Sequence, residues 1–209
     1  MYATEMKYIF DLSNATGGVD ADCTAAKHPK DQWQCMFAPD AYAFTNSPTF
    51  PINSALDKWQ TACIYTAELP THFPTQPVAA WFQNQLAGCA KLSGWSRCAG
   101  YLLGNPENCD QAQIRAMNQY IRDFMHTVNS TKTYTRVGNG GFFHSCHTHC
   151  EAQSGSFWDL KIGGVSLGEA LARWWQSNGM DKAEQHIYLP CEYHDGPEGK
   201  RACNPTCPP

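Results

Sequence analysis

His144-Ser145-Cys146-His147-Thr148-His149-Cys150 brings three imidazoles and two thiols into one short stretch. Three chemistries fit that composition. On a strand, His147 and His149 face the same way, and with Cys146 and Cys150 as thiolates they could hold zinc, although no carboxylate or further histidine is in register. In an oxidising compartment the same cysteines are structural disulfides and the histidines are simply solvated. The remaining chemistry is proton transfer: one imidazole acts as a general base, pinned by flanking disulfides within hydrogen-bond reach of a nucleophile.

Two further stretches carry chemistry. Gly164-Val165-Ser166-Leu167-Gly168 matches the G-x-S-x-G nucleophile elbow of serine hydrolases. Ser166 also stands three residues before Glu169 at the head of an apolar-periodic run, which is the helix capping-box pattern. An elbow at Ser166 would have to find its acid and then His186 or His194 in the short remainder of the chain. Asn53-Ser54-Ala55-Leu56-Asp57-Lys58-Trp59-Gln60 places an aspartate just past a buried apolar segment. Open α/β sheets present functional groups at the carboxyl ends of their strands. A turn or cap aspartate would occupy the same position.

The elements that must position these residues follow from the hydrophobic pattern. Pro48 and Pro51 push a strand to about 50–55. Ile114, Met117, Ile121, Phe124, Met125 and Val128 recur at helical steps and predict a helix over 110–128, started by an Asp110/Gln113 capping box. Gly138, Gly140 and Gly141 lead into a short strand, Phe142-Phe143-His144-Ser145-Cys146. A second helix is predicted over 167–177, with Ala170, Leu171, Trp174 and Trp175 on its buried side. Residues 191–209 form a Cys/Pro-rich tail whose three cysteines, rather than packing, should fix it.

Composition narrows the classes. The chain has 209 residues, of which 43% are hydrophobic, 12% aromatic and only 16% charged, so it folds, and its length suits one domain. The net charge is −4 and no Lys/Arg run occurs, which argues against a nucleic-acid or polybasic membrane partner. No apolar run reaches the ~18–20 residues of a membrane span. Eleven cysteines are a disulfide framework, and the odd number leaves one thiol unpaired or paired outside this sequence. Asn14-Ala15-Thr16 and Asn129-Ser130-Thr131 are glycosylation acceptor patterns. Met1–Lys7 is not a secretory signal, so a chain this rich in disulfides is expected to be part of a longer one.

Asn53-Ser-Ala-Leu-Asp57-Lys-Trp59-Gln60 resembles the Asn-Ala-Ala-Tyr-Asp-Ser-Trp-Gln segment of plant pectin acetylesterases, and Ser145-Cys146-His147-Thr148-His149-Cys150 resembles that family's Ser-Cys-x-x-His-Cys. The animal extracellular esterase Notum belongs to the same family. Cys23-Thr24, Cys35 to Pro39, Trp95 to Cys109, Ser166 to Trp175 and the terminal cysteines extend the similarity in register along nearly the whole chain. Leu56 and Lys58 beside the aspartate, and Glu151 in place of a usual Gln, depart from the pattern. The resemblance implies an α/β-hydrolase-like parallel sheet with flanking helices, disulfide-rich and incomplete, residues 1–209 being the C-terminal portion of the domain. It implies a carboxylic ester hydrolase with a Ser-Asp-His triad in which Asp57 is the acid and His149 the base. The serine is expected upstream of this chain, in a Gly-Cys-Ser-Ala-Gly-Gly elbow that the sequence lacks. No cofactor and no metal are implied. The implied substrate is acetylated pectin-like polysaccharide or another ester, such as a lipid- or protein-bound acyl group, and the implied location is extracellular or in a cell wall. A non-catalytic, disulfide-stabilised binding module derived from the same fold is the other class that the sequence allows.

Overall fold

The structure, a computed structural model, describes residues 2–66, 94–101, 104–150, 153–177, 186–188, 191–194 and 204–207; Cys89, Glu151, Cys203 and most of the tail lie outside them. The described strands are β1 (Ile52–Ser54), β2 (Gly141–His144), β3 (Lys161–Ile162), β4 (Val165–Ser166) and β5 (His186–Tyr188). The described α-helices are α1 (Tyr2–Leu12), α2 (Ala21–Ala25), α3 (Ala38–Ala41), α4 (Lys58–Gln60), α5 (Ser96–Ala99), α6 (Gln111–Ser130) and α7 (Leu167–Gln176). Among the described residues no helix is long and apolar enough to cross a membrane.

β1, β2 and β5 form a parallel sheet with β2 in the middle. Ile52 lies opposite Phe142, Asn53 opposite Phe143 and Ser54 opposite His144, so β1 and β2 end side by side. Every residue of β2 is buried, as a strand covered on both faces requires. Successive strand side chains point to opposite faces. Phe143 accordingly enters a core with Leu56, Met117 and Ile121, whereas Phe142 enters a second core with Leu160, Ile162 and Leu167. α6 therefore covers one face and α7 the other. β2 can begin only with glycine: a Cβ on Gly141 would sit 2.8 Å from the Phe143 ring and 2.9 Å from the Tyr134 ring.

α6 starts as its sequence predicts. The Asp110 carboxylate accepts from the Gln113 N–H at 2.8 Å, and the Gln113 side chain accepts from the Asp110 N–H at 2.9 Å. Its apolar stripe carries one polar member, the buried Asn118, which donates to Tyr193 O at 3.0 Å and accepts from Tyr193 N at 2.8 Å. This pair fastens the 191–194 segment to the helix.

α7 departs from the expectation in one respect. Leu167 and Ala170 are buried and Trp174 packs on Phe50 with ring centroids 5.2 Å apart, but Trp175 is 74% exposed. Neighbouring helical positions are rotated by about 100°, so a narrow apolar stripe accepts only one of two adjacent tryptophans. Trp174 holds the inward, half-buried place, where its indole N–H donates to Gly138 O at 2.9 Å.

Disulfides join Cys23 to Cys35, Cys98 to Cys109 and Cys146 to Cys207. Cys63 and Cys191 are disulfide-bonded as well. The Cys146–Cys207 bridge closes a loop of 61 residues, which in the chain-entropy account is worth about 4 kcal/mol. It ties the loop that follows β2 to the tail, but the cysteines do not fix the tail alone as the sequence suggested: Tyr193 is buried in the core with Leu56 and Met117, and the buried Asn204 donates to Lys161 O at 3.1 Å. Cys150 carries a free, exposed thiol.

Candidate active site

The parallel register brings the ends of β1 and β2 together, and the loops beyond them are laced by hydrogen bonds. Ala55 N donates to His144 O at 2.7 Å and Lys58 N donates to Thr148 O at 3.0 Å. The Ser54 hydroxyl donates to Cys146 O and accepts from Leu56 N. Thr61, at the start of the π-helical segment Thr61–Tyr65, donates its hydroxyl to Asp57 O at 2.9 Å and meets the His147 Nε2 at 3.2 Å. The cross-strand contacts leave little slack between residue 57 and residue 149.

Asp57 uses its two oxygens for two tasks. Oδ1 accepts from the Gln60 N–H at 2.7 Å and caps α4. Oδ2 lies 2.8 Å from Nδ1 of His149. The carboxyl group is buried, with 7% side-chain exposure, while the imidazole is 27% exposed. A carboxylate can only accept, so the ring carries its proton on Nδ1 and presents the Nε2 lone pair. Among the described residues no hydrogen-bond partner faces Nε2. Such an arrangement can orient a base: one nitrogen is anchored on a buried carboxylate and the other meets no partner among the described residues.

Two aromatic rings flank this imidazole. Trp59 lies nearly parallel to it, 25° between planes and 6.1 Å between centroids, and Tyr101 meets it edge-on at 6.0 Å. Tyr120 stands behind the acid, donating to the Gln60 side chain at 2.9 Å. Burial, reinforced by the Asp57 charge, pushes its phenol up to about 12, so it remains a donor.

The other members of the His/Cys cluster are separated from this pair. His144 is fully enclosed in β2, where its Nδ1 accepts from Cys146 N at 3.2 Å. His147 turns toward Thr61 rather than joining His149 on a common face. Burial lowers His144 to about 4, and burial with the nearby Lys58 charge lowers His147 to about 4, so both are neutral near pH 7. Cys146 is committed to a disulfide.

Ser166 is not on an elbow. Gly163 and Gly164 have φ of +58° and +86° and make the two-residue turn of a β3–β4 hairpin, a geometry that needs positive φ at both positions. Ser166 follows with extended backbone, φ −78° and ψ 157°, and its hydroxyl caps α7 by accepting from Glu169 N at 3.2 Å. The reciprocal half of a capping box is absent here: the Glu169 carboxylate pairs with Arg173 instead. His186, one of the two histidines that an elbow at Ser166 would need, is bound through Nε2 to Tyr134 O at 2.5 Å. His194, the other, is exposed.

The chain matches the family described as Pectinacetylesterase over residues 2–207. It is 23% identical over 203 residues to Pectin acetylesterase 7 of Arabidopsis thaliana, covering 94% of this chain and 41% of that protein. With Pectin acetylesterase 5 of the same plant the identity is 22% over 211 residues, covering 98% of this chain and 40% of that one. Pectin acetylesterase 11 is 23% identical over 194 residues, which cover 90% of this chain and 39% of the relative. The chain thus spans about two fifths of the length of these curated relatives.

Proposed function

The chain belongs to the pectinacetylesterase family, and from that premise we propose that it is the C-terminal portion of an extracellular carboxylic-ester hydrolase that deacetylates pectin-like polysaccharide, with Asp57 and His149 as the acid and base of a Ser-Asp-His triad. The observation that carries this reading is the 2.8 Å contact between His149 Nδ1 and Asp57 Oδ2, with no partner at Nε2 among the described residues. The similarity to proteins named pectin acetylesterases supports the substrate class, and the bridges that pin the fold support an oxidising, extracellular setting.

In this account His149 Nε2 removes the hydroxyl proton of a serine as its oxygen attacks the acetyl carbonyl. Asp57 holds the resulting imidazolium. The imidazolium then gives its proton to the departing sugar hydroxyl, leaving an acetyl-serine. Water, deprotonated by the same nitrogen, releases acetate and restores the serine. The serine is supplied by sequence N-terminal to this segment, in keeping with the family's order of nucleophile, acid and base. Ser166 is engaged as a helix cap.

The test compares acetate release from acetylated pectin with hydrolysis of p-nitrophenyl acetate and p-nitrophenyl palmitate, using the protein in the form that carries its nucleophile. Acetylated pectin and the short ester should both be cleaved and the palmitate should not; a preference for palmitate would transfer the site to the lipid-acyl class. Ser166→Ala should leave hydrolysis unchanged while lowering stability by about 1 kcal/mol through loss of the cap. Activity that vanishes with Ser166→Ala and survives Asp57→Ala and His149→Ala would overturn the assignment.

A further inference from the structure

We propose that Trp59 is a positioning residue that sets the plane of the His149 ring, with Tyr101 closing the adjoining edge; the proposal rests on the reading of His149 as the base. The Asp57 contact fixes one end of the imidazole, through Nδ1 alone. A ring held by a single hydrogen bond can still pivot about that bond, and the pivot swings Nε2 away from any nucleophile. A base must be aimed as well as basic.

The indole removes that freedom. It lies 25° from parallel to the imidazole at 6.1 Å, so it blocks rotation toward one face, while the Tyr101 ring, inclined at 72° and 6.0 Å away, blocks the edge. The two rings arrive from separate segments. Trp59 sits in α4, whose first turn Asp57 itself caps, so acid and indole move as one piece. Tyr101 follows α5, which is anchored by the fully buried Cys98 through its bridge to Cys109. Both rings are half-buried, which leaves this mouth open to solvent rather than sealed as core.

The test is a nitrogen-15 side-chain spectrum of the 209-residue chain with proton–proton contacts measured from the His149 ring. The wild type should give nitrogen shifts of a single tautomer protonated on Nδ1, and contacts to the Trp59 indole protons. Trp59→Leu should leave the shifts of the Nδ1-protonated tautomer in place but weaken the proton–proton contacts between the His149 and Tyr101 rings as the imidazole pivots, and Trp59→Phe, which keeps an aromatic face, should restore those contacts. Unchanged contacts between the His149 and Tyr101 rings in Trp59→Leu overturn the proposal. So does the absence of indole contacts in the wild type, a result that decides the matter even where Trp59→Leu does not fold. Asp57→Asn separates this proposal from the one beneath it: collapse of the two nitrogen shifts there, with ring contacts unmoved in Trp59→Leu, removes the indole's role and leaves the acid–base pair standing.

Discussion

If the proposed triad operates, His149→Ala, introduced into the form of the protein that carries the proposed serine, is expected to lower kcat on p-nitrophenyl acetate by about 10⁶, and Asp57→Ala by about 10⁴, with the double variant no worse than His149→Ala alone. The ordering follows from the site. Without the imidazole there is no acceptor for the serine proton and no donor for the leaving alcohol. Without the carboxylate the imidazole remains, but nothing holds its proton on Nδ1, and a fraction of the rings present a protonated Nε2 that cannot act as base. Because the two side chains work as one unit, their losses do not add. KM should change little, since neither group binds the ground-state ester. Steady-state rates of the three variants check this; equal and additive losses of a few-fold would mean that the pair merely supports the loop.

Acidification from pH 6.5 to about 4 is expected to destabilise the chain. His144 and His147 are both lowered from 6.5 to about 4 in the folded protein. An unfolded chain therefore binds more protons than the folded one between those values, and stability falls as the pH falls through that window and levels below it. Above pH 6.5 the contribution is present in full. His144, enclosed in the central strand, accounts for on the order of 3 kcal/mol, and half-buried His147 for less, since remaining water screens its charge. Total stabilities of ~5–15 kcal/mol make such a loss decisive. Urea midpoints at pH 7, 6, 5 and 4 measure it. His144→Asn should flatten the decline, and an unchanged slope in that variant would show that other groups drive it.

The chemistry was legible in the sequence where a local pattern and its partner lie close together along the chain. α6 was readable over nearly its full length because its apolar stripe repeats through several turns and its Asp110/Gln113 box closes within four residues. Ser166 was readable as a cap for the same reason. Asp57 posed a false choice between a cap and a partner for histidine, because a carboxylate has two oxygens: one caps α4 and the other meets His149 Nδ1. Trp175 was misplaced because a stripe read in sequence has no width, and only the packing against Phe50 and Gly138 selects Trp174.

Other features had no local signature. Tyr101 and Thr61 reach the histidine loop only through the tertiary fold, and no spacing announces them. β5 is three residues long, and its place depends on pairing with β2. The helix of Tyr2–Leu12 was hidden because Tyr8-Ile9-Phe10 is a run without period: Phe10 is buried, whereas Tyr8 and Ile9 are exposed. The disulfide framework was evident from the number of cysteines, but the bridge from Cys146 to Cys207 could not be chosen among the alternatives without the fold.

A proton held between His149 Nδ1 and Asp57 Oδ2 is central to the proposed chemistry. Its most direct measurement is the low-field proton spectrum of the 209-residue chain in water, with the resonance assigned by nitrogen-15 labelling of histidine. A downfield, slowly exchanging proton on His149 Nδ1 that disappears in Asp57→Asn is the result this structure predicts. Its absence from the wild type, or its persistence in Asp57→Asn, would contradict the pairing and with it the hydrolase mechanism.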